Sequence, residues 1–507
     1  MSCRHWPVSA MTTVQTEIYT DVERIASARC YIDGQWRVGE GPEIRSVNPS
    51  TGGTLAHTAS ASEEQVAAAT AAARRAFEEG PWSRLTGKDR GALLDRLADL
   101  IERDADQLVR LAATELGSPV KSGRGTQIGV PVMFLRWFAD AARRGPRDGL
   151  EEGLPLHYDP VASASLLIRE PAGVVAAVTA YNVPIYLGAM KLGPAFASGC
   201  SAVLVPSPKA LLCTVALVKL IEEAGFPRGA VNLVFGPPAV TEQVVTAQDV
   251  DMVSFTGSAT IGGKLMALAA PSLKKVVLEL GGKSPNILLP GADVMAAVGP
   301  SAMRFCINAG QRCGATTRSL VPEASFDEFV DASAKFMRAI PVGDPRDENT
   351  VVGPLITDEH RREVEGYLAR AVAAGANVAT GGGRPPGLEA GFYFEPTLLT
   401  GIANEAEINQ EELFAPVASV IPYRDLDEAV RIANQTTYGL NANVWGPTAD
   451  AIAVGRRLRS GTVTINGGGG KRDDAPWGGL GASGIGRECG EEGYREFFEV
   501  KHLQWPI

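Results

Sequence analysis

Short apolar runs alternate with helical stretches between residues 174 and 255, a pattern that suits a layered α/β fold. The strand-like runs are 174–178, 202–205, 231–236 and 252–255, and the helical stretches between them include 189–197 and 210–224. Alternating elements of this length are typical of βαβ units, in which the strands lie parallel. The sequence therefore predicts a doubly wound α/β domain of the kind that binds nucleotides.

A second alternating block begins near residue 286 and predicts a further α/β domain. Its helices are expected at 326–337 and 360–373, and its strands at 417–421 and 462–465. Rough alternation at 154–169 predicts a protruding hairpin, and the residues after Gly490 predict a short helix and a final strand. A chain of 507 residues is long enough for two or three such units.

Composition and charge argue against several classes of protein. Hydrophobic residues make up 45% of the chain and charged residues 21%, as in an ordinary globular protein. The net charge of −10 disfavours a general nucleic-acid binder, because binding to phosphates needs a basic surface. No apolar run reaches the roughly 18 residues of a membrane span. Residues 1–20 lack the apolar segment of a secretory signal, and Met11 is an alternative to Met1 as the start.

The cysteines and histidines predict free thiols and no metal site. Seven cysteines occur, an odd number spread widely, which favours free thiols in a reducing compartment over a disulfide framework. The five histidines form no cluster with ligand spacing, either among themselves or with cysteine. We therefore expect a cytoplasmic protein without a structural or catalytic metal.

Cys313 and Glu279 together predict chemistry at a carbonyl carbon. Cys313 follows the polar and flexible stretch 310–312, which suits an exposed loop, whereas Cys306 lies among apolar residues and is expected to pack. Glu279 lies in an apolar run, where burial raises a carboxyl pKa toward that of a useful general base. A thiolate captures a carbonyl carbon, and a carboxylate activates water to hydrolyse the resulting thioester. Together with glycine-rich turns elsewhere in the chain, the pair points to oxidation of an aldehyde to an acid.

A glycine-containing turn at residues 255–262 predicts a binding site for the pyrophosphate of a dinucleotide. Gly257 permits a tight turn after a predicted strand, and Ser258 is placed to cap the helix whose N-terminus attracts phosphate. The spacing from Gly257 to Gly262 differs from the usual dinucleotide fingerprint. A true G-x-G-x-x-G occurs at 479–484, but no predicted strand precedes it, so we do not assign it to phosphate.

The order of several motifs resembles that of the NAD(P)-dependent aldehyde dehydrogenase superfamily. The resemblance runs from about Tyr31 to Lys501, and its motifs are Asn48-Pro49-Ser50-Thr51-Gly52, Asn182-Val183-Pro184, Phe255-Thr256-Gly257-Ser258, the segments around Glu279 and Cys313, Glu412-Leu413-Phe414 and Ser483-Gly484-Ile485-Gly486-Arg487-Glu488. It implies a Rossmann-like dinucleotide-binding domain at 22–150 and 172–281, a catalytic α/β domain at 282–490 and a small β oligomerisation arm at 151–171 and 491–507. It also implies a homodimer or homotetramer that binds a small-molecule aldehyde, and neither nucleic acid nor membrane.

The resemblance assigns roles to four catalytic residues. Cys313 is the nucleophile, and Glu279 takes a proton from the hydrolytic water. The side-chain amide of Asn182 and the backbone N–H of Cys313 stabilise the oxyanion that forms when the thiolate adds. Lys191 is expected near the site in support of Asn182. Without the resemblance, Asn182 is a turn residue and Lys191 a solvated charge on a helix surface.

The resemblance also implies a set of residues that contact the cofactor, namely Pro206, Ser207, Gly257, Ser258, Gly262, Leu280, Gly281, Glu412 and Phe414. Glu412 matches the carboxylate that holds the nicotinamide ribose, and Phe414 matches the ring that packs on the nicotinamide. The chain departs from the family at Val205 and Pro208, where a lysine and often a glutamate usually contact the adenosine ribose. We expect NAD as the cofactor, with NADP not excluded, and weaker binding than in a typical relative.

The resemblance implies a substrate tunnel lined by Val183, Tyr186, Leu187, Met190, Arg312, Lys471 and Trp477. Most of these side chains are apolar, which suits an aliphatic or aromatic aldehyde. Arg312 and Lys471 would instead favour a semialdehyde that carries a carboxylate if they faced the tunnel. Long basic side chains usually keep their charge in water, so we expect both to face solvent at the rim.

Three alternative functions stay open at this stage. A CoA-acylating semialdehyde dehydrogenase would use a thiol acceptor in place of water and tends to lack the carboxylate at the position of Glu279. A catalytically silent structural homologue would have lost the nucleophile or the base, and both are present. Hydrolysis of thioesters without a cofactor is a possible side reaction of the same cysteine.

Overall fold

The structure is a computed structural model that describes residues 29–507. The expectations for the first twenty residues, including the choice between Met1 and Met11, lie outside the described residues. No helix within the described part of the chain is long and apolar enough to cross a membrane.

The strands between residues 29 and 507 are β1 (Cys30–Ile32), β2 (Gln35–Arg37), β3 (Glu43–Val47), β4 (Thr54–Ala59), β5 (Glu151–His157), β6 (Ser163–Pro171), β7 (Val174–Thr179), β8 (Ser201–Pro206), β9 (Val231–Leu233), β10 (Met252–Thr256), β11 (Lys275–Glu279), β12 (Ser284–Leu288), β13 (Thr316–Pro322), β14 (Asn377–Thr380), β15 (Thr397–Thr400), β16 (Val417–Tyr423), β17 (Asn441–Trp445), β18 (Thr462–Ile465), β19 (Gly484–Ile485) and β20 (Phe498–Pro506).

The α-helices over the same residues are Glu63–Glu78, Gly87–Arg103, Ala105–Leu116, Val120–Gly123, Val130–Arg144, Pro184–Ser198, Leu211–Ala224, Pro238–Thr246, Ala259–Ala269, Val294–Cys306, Phe326–Arg338, Asp358–Ala373, Glu407–Gln410, Leu426–Asn434, Thr448–Gly455 and Gly490–Arg495. The helix expected at 189–197 begins earlier, at Pro184. Proline is favoured in the first turn of a helix, which explains why this helix begins at Pro184.

The first sheet has eight strands in the order β19-β11-β10-β7-β8-β9-β1-β2. Its centre is parallel from β11 to β9, and the pairs at both ends are antiparallel. Every residue of β7, β8 and β10 is buried, as expected for parallel strands with helices on both faces. The predicted parallel α/β fold is therefore confirmed.

The second sheet has seven strands in the order β14-β15-β16-β13-β12-β17-β18. It is parallel except where β14 joins β15. Arg318 on β13 is fully buried and donates hydrogen bonds to the backbone oxygens of Lys283, Ile432 and Ala433. These bonds tie the sheet to a loop and a helix that lie beside it.

A third sheet joins β5, β6 and β20, so the predicted hairpin and the predicted final strand belong to one unit. β20 pairs with β6 along its whole length, from Phe498 opposite Pro171 to Pro506 opposite Ser163. The bounds proposed for the domains stay a prediction. The sheets depart from them at one place, because β19 lies within 282–490 yet pairs with β11 of the first sheet.

The parallel strands of the first sheet place three predicted site segments at one edge. β7 is followed by Asn182, β10 by Gly257, and β11 ends at Glu279 itself. Since β11, β10 and β7 are adjacent and parallel, their carboxyl ends lie side by side. This is the edge at which open α/β sheets bind ligands.

Candidate active site

A cavity of about 530 Å³ lies at this edge of the first sheet. The predicted site residues that line it are Asn182, Val183, Tyr186, Leu187, Pro206, Ser207, Gly257, Ser258, Glu279, Gly281, Cys313, Glu412 and Phe414. The predicted residues that do not line it are Met190, Lys191, Gly262, Leu280, Arg312, Lys471 and Trp477. The first group brings the nucleophile, the base and the expected cofactor contacts into one space.

The backbone before Cys313 follows an unusual path. Helix Val294–Cys306 ends, and the next residues include Asn308 with φ of 57° and Ala309 with φ of 52°, both left-handed. This conformation costs a non-glycine residue roughly 1–2 kcal/mol. Gly310 is left-handed as well, and a Cβ atom there would lie 2.2 Å from the carbonyl carbon of Ala415. Glycine is therefore the residue that this turn accepts at position 310.

Gln311 holds this strained turn in place. Its Oε1 accepts hydrogen bonds from the hydroxyl of Tyr181 at 3.2 Å and from the backbone N–H of Ile356 at 3.0 Å. Its Nε2 donates to the backbone oxygens of Asn308 at 3.2 Å and Pro354 at 3.4 Å. Gln311 is buried, so the expected flexible and exposed approach to Cys313 is wrong. In the sequence, only its position close to the predicted nucleophile could have indicated that Gln311 has a structural role in the site.

Asn182 is anchored to the same turn by two hydrogen bonds. Its Nδ2 donates to the backbone oxygen of Gln311 at 2.9 Å, and its own backbone oxygen accepts from Nδ2 of Asn308 at 3.3 Å. An amide nitrogen carries two hydrogens, so one remains for a ligand. Within residues 29–507 the backbone N–H of Cys313 has no hydrogen-bond acceptor. The two groups supply the pair of donors that an oxyanion needs.

The thiol of Cys313 lies in a half-buried position on the cavity wall. Burial raises its pKa to about 12, with further increases from the charges of Glu412 and Glu279, while Lys471 and Arg312 lower it. The sulfur is therefore protonated at neutral pH and has to lose its proton when it attacks. Cys306 is fully buried in the core, as expected from its apolar neighbours.

Glu279 presents a carboxylate with both oxygens unsatisfied. Neither oxygen has a hydrogen-bond partner in the described part of the chain, and the side chain is 3% exposed. Burial raises the pKa of Glu279 well above its usual value, and the charge of Glu488 raises it further, while Lys191 and Arg487 oppose the change. A buried, unpaired carboxylate of raised pKa is suited to accept a proton from water.

Lys191 acts on Glu279 and not on Asn182. Its Nζ lies 2.6 Å from Oε1 of Glu488 and 3.1 Å from Oγ of Ser254, and all three side chains are buried. The structure places no hydrogen bond between Lys191 and Asn182 within residues 29–507. Glu488 was part of a recognised motif but was not predicted as a site residue. It was missed because Glu488 and Lys191 lie far apart in the sequence, so their contact appears only in the folded chain.

Glu412 and Phe414 approach the cavity from the second sheet. The backbone N–H of Gly282 donates to Oε1 of Glu412 at 3.1 Å, and burial raises the pKa of Glu412 to about 7. Phe414 is left-handed with φ of 51°, and its backbone oxygen lies 3.1 Å from Nε2 of His360. Its ring centroid lies 5.9 Å from that of Tyr181. Both residues are positioned to contact a ligand near Cys313.

The turn after β10 opens helix Ala259–Ala269 as predicted. Ser258 caps this helix, with its side chain accepting a hydrogen bond from the backbone N–H of Ile261. Gly262 and Leu280 serve a different purpose, because a Cβ atom on Gly262 would lie 2.6 Å from Cδ2 of Leu280. This close contact packs the helix on the sheet, so these two residues position the turn and do not line the cavity.

The adenosine end of the expected cofactor site is apolar at Val205 and Pro208, the two positions where the chain departs from the family. Val205, Pro206, Ser207 and Pro208 all line the cavity. The neighbouring Lys209 turns toward the aromatic ring of Tyr181, with its Nζ 5.4 Å from the ring centroid. It does not take the place of the missing lysine.

Two side chains of the predicted tunnel lie beside the cavity. The ammonium of Lys471 packs against aromatic rings that include those of Tyr186 and Trp477, although the residue as a whole is exposed. The expectation that Lys471 faces solvent therefore holds for the residue as a whole but not for its ammonium group. Trp477 also exchanges two backbone hydrogen bonds with Glu488, at 2.6 and 2.7 Å. The segment that carries this ring thus also holds Glu488 beside Lys191.

Comparisons with known proteins agree across nearly the whole chain. The sequence model of the aldehyde dehydrogenase family matches residues 36–503. Betaine aldehyde dehydrogenase of Bacillus subtilis is 38% identical over 482 residues, covering 94% of this chain and 97% of that protein. Geranial dehydrogenase of Castellaniella defragrans is 37% identical over 477 residues, covering 93% and 98%. A solved Mycobacterium tuberculosis aldehyde dehydrogenase complexed with NAD+ has a TM-score of 0.91 and 35% identity, covering 95% and 98%.

Removing the charge of Glu488 is expected to lower the pKa of Glu279. Glu488 repels a charge on Glu279, and Glu488→Gln leaves the attraction of Lys191 without opposition. We therefore expect the Glu279 titration midpoint to fall. Infrared difference spectroscopy of the protonated carboxyl band, assigned by its loss in Glu279→Gln, measures the midpoint. The exposed neighbour Glu492→Gln is the control, and a midpoint that rises in Glu488→Gln would contradict the assignment.

Proposed function

The chain belongs to the aldehyde dehydrogenase family, and we propose that it oxidises an aldehyde to a carboxylic acid through a thioester on Cys313. One observation carries this proposal: Cys313, Asn182 and the unpaired carboxylate of Glu279 line the same cavity. A nucleophile, an oxyanion donor and a base for water are the three groups that this reaction requires of the protein.

The first step forms a bond between the Cys313 sulfur and the aldehyde carbon. The carbonyl oxygen gains the electron pair of the broken π bond and becomes an alkoxide. The free N–H of the Asn182 amide and the backbone N–H of Cys313 are the donors available to it. Because the thiol is protonated at rest, its proton has to leave as the bond forms. The proton passes to solvent, and Glu279 stays free to activate water in the later hydrolysis.

The cavity fits NAD. The hydroxyls of Thr179 and Thr256 line it, are buried and have no partner in the described part of the chain, so they are open to a polar ligand. Ser258 and the helix N-terminus would hold the pyrophosphate, Glu412 would hold ribose hydroxyls, and Phe414 would pack on the nicotinamide. NAD, when bound, accepts the hydride that leaves the aldehyde carbon. The residues here orient that carbon through its bond to Cys313.

Hydrolysis of the thioester completes the reaction. Glu279 takes a proton from a water molecule whose oxygen adds to the thioester carbon, and the same two donors hold the second oxyanion. The carbon–sulfur bond then breaks, the acid is released, and the sulfur takes up the proton that Glu279 holds. The raised pKa of Glu279 makes it a stronger proton acceptor than an ordinary carboxylate.

The same carboxylate separates this reaction from its nearest alternative. Transfer of the acyl group to CoA needs no base that activates water. Glu279 is buried, and both of its carboxylate oxygens are free of hydrogen bonds within the described residues, as a base that activates water requires. A silent structural homologue has no need for an unpaired buried carboxylate, whose burial is costly. Both alternatives are therefore less well supported than hydrolysis.

An apolar aldehyde, aliphatic or aromatic, is the substrate class that the cavity walls favour. Val183, Tyr186 and Leu187 line the cavity with Cys313. The names of the similar proteins include a betaine aldehyde and a geranial dehydrogenase, and they therefore span charged and apolar substrates. The apolar lining favours the second kind for this chain.

The third sheet is the surface that we assign to assembly of a homodimer or homotetramer. β20 exposes Val500, Leu503 and Trp505. A strand with large apolar side chains in water is typical of an interface. The six cysteines in the described residues are free, which is consistent with a reducing cytoplasm.

Cys313→Ala is expected to abolish aldehyde-dependent reduction of NAD, with a decrease in kcat/KM of at least about a thousandfold. The cause is loss of the only sulfur that lines the cavity within residues 29–507. Absorbance of the reduced cofactor is the measurement, and Cys306→Ala is the control for loss of a nearby thiol. Retained activity in Cys313→Ala would refute the assigned nucleophile.

Glu279→Gln is expected to stop the reaction at the thioester. Glutamine cannot accept a proton from water, so one equivalent of reduced NAD should form in a burst and steady turnover should fall about a thousandfold. Intact-mass spectrometry should show the acyl group on Cys313. Formation of acyl-CoA by the unmodified enzyme, at the expense of free acid when CoA is added, would support the acylating alternative instead.

Pro208→Glu is expected to tighten NAD binding about tenfold, because a carboxylate there would accept hydrogen bonds from the adenosine ribose. The dissociation constant for NADP should not fall, since the carboxylate repels a 2′-phosphate. Titration of intrinsic fluorescence with each cofactor measures both constants. Pro208→Gln keeps the side-chain length without the charge and serves as the matched control. Equal tightening for both cofactors would show that residue 208 does not contact this ribose.

A further inference from the structure

One ammonium group in this molecule is surrounded by three aromatic rings. The Nζ atom of Lys471 lies 4.4 Å from the ring centroid of Tyr186, 5.3 Å from that of Trp477 and 5.6 Å from that of Phe134. It also contacts the hydroxyl of Tyr186. Rings grouped around a cation in this way form an aromatic cage, the arrangement by which proteins bind ammonium ligands. We call these three rings the cage.

The cage lies next to the reaction centre. Tyr186 is one wall of the cage and also lines the cavity that contains Cys313. The charge of Lys471 lowers the pKa of the Cys313 thiol, so the two groups are close enough to interact. Trp477 adjoins the Cys313 loop, because a Cβ atom on Gly314 would lie 3.0 Å from its ring. A substituent on an aldehyde bound at Cys313 is therefore near the cage.

The loop before Lys471 delivers the side chain to the cage. Residues 467–470 are four consecutive glycines, all with positive φ between 68° and 111°. Successive left-handed residues are accessible to glycine and costly for other residues. The next basic residue, Arg472, is exposed and pairs with Asp474 at 2.6 Å. Of these two neighbouring cations, only Lys471 enters the cage.

We propose that Lys471 is a tethered occupant of the cage and sets the charge selectivity of the enzyme. An aldehyde with an ammonium group finds its natural binding site filled and meets a like charge there. An aldehyde with a carboxylate meets an opposite charge at the same place, and a neutral aldehyde is little affected. Discrimination by a repulsive element of this kind is a common route to specificity. The inference rests on the proposed oxidation of aldehydes.

Two pairs of aldehydes that differ mainly in charge test the inference. Trimethylammonium-acetaldehyde is compared with its neutral isostere tert-butylacetaldehyde, and succinic semialdehyde is compared with isocaproaldehyde. Lys471→Ala empties the cage and removes the charge. We expect the ratio of kcat/KM for the cationic aldehyde to that of its neutral isostere to rise about tenfold. The ratio of kcat/KM for the anionic aldehyde to that of its neutral isostere should fall about fivefold. Ratios cancel any general effect of the variant on turnover.

Two further variants distinguish binding by the rings of the cage from a long-range effect of charge. Arg472→Ala removes a charge from the adjacent position on the same loop and should leave both ratios within twofold of the unmodified enzyme. Trp477→Leu, added to Lys471→Ala, removes one wall of the emptied cage and should reverse most of the gain for the cationic aldehyde. That reversal supports binding by the rings.

The outcomes are distinct. Unchanged ratios in Lys471→Ala, or equal changes in Arg472→Ala, overturn the inference while the proposed function stands. A gain for the cation that survives loss of Trp477 also overturns it, because the cage then plays no part. Failure of the unmodified enzyme to oxidise any of the four aldehydes with NAD contradicts the proposed function, and the inference falls with it.

Discussion

The hydrogen bond from Asn182 to the backbone oxygen of Gln311 joins the two halves of the site. Asn182 follows a strand of the first sheet, whereas Gln311 belongs to the turn that leads into the second sheet. The turn contains non-glycine residues in a left-handed conformation, which persists only when its surroundings impose it. The contacts of Gln311 with Tyr181, Ile356 and Pro354 provide that restraint. The position of Cys313 relative to its oxyanion donor depends on this network.

The buried charges behind the site have an electrostatic purpose that packing alone does not explain. A buried ion pair such as Lys191–Glu488 loses hydration that its mutual attraction only partly offsets. The pair nevertheless lies where its two charges act in opposite directions on the pKa of Glu279. Glu279 itself is left without hydrogen bonds in the described residues. This arrangement leaves a carboxylate whose affinity for a proton depends on burial and on the charges of Glu488, Lys191 and Arg487.

Charge is arranged differently at the two ends of the cavity. At the end where the adenosine ribose is expected, Val205 and Pro208 replace polar anchors, and Lys209 turns toward Tyr181. At the other end, the ammonium of Lys471 packs against three rings beside Cys313. The residues that we propose to affect cofactor affinity are thus separate from those that we propose to affect substrate choice.

Local patterns in the sequence were enough to predict most of the fold, and the resemblance to a family led to the proposed reacting groups. Buried parallel strands are continuous apolar runs, so β7, β8 and β10 were recognisable, as were the serine cap before helix Ala259–Ala269 and the motifs around Cys313 and Glu279. The helix start at Pro184 was missed, because a proline reads both as a break and as a favoured first residue.

The tertiary structure alone decided which distant side chains meet. Residues far apart in the chain meet in the pair Lys191–Glu488, in the hydrogen bonds of Gln311 and in the cage around Lys471. The strand β19 likewise returns to pair with the first sheet. No local periodicity encodes such contacts, because they depend on how the sheets and loops pack. The sequence by itself determined the secondary structure and the chemistry available. Packing determined the burial and the charged neighbours of Glu279, the hydrogen bonds that hold the turn before Cys313 and the rings around Lys471, because all of these contacts join distant segments.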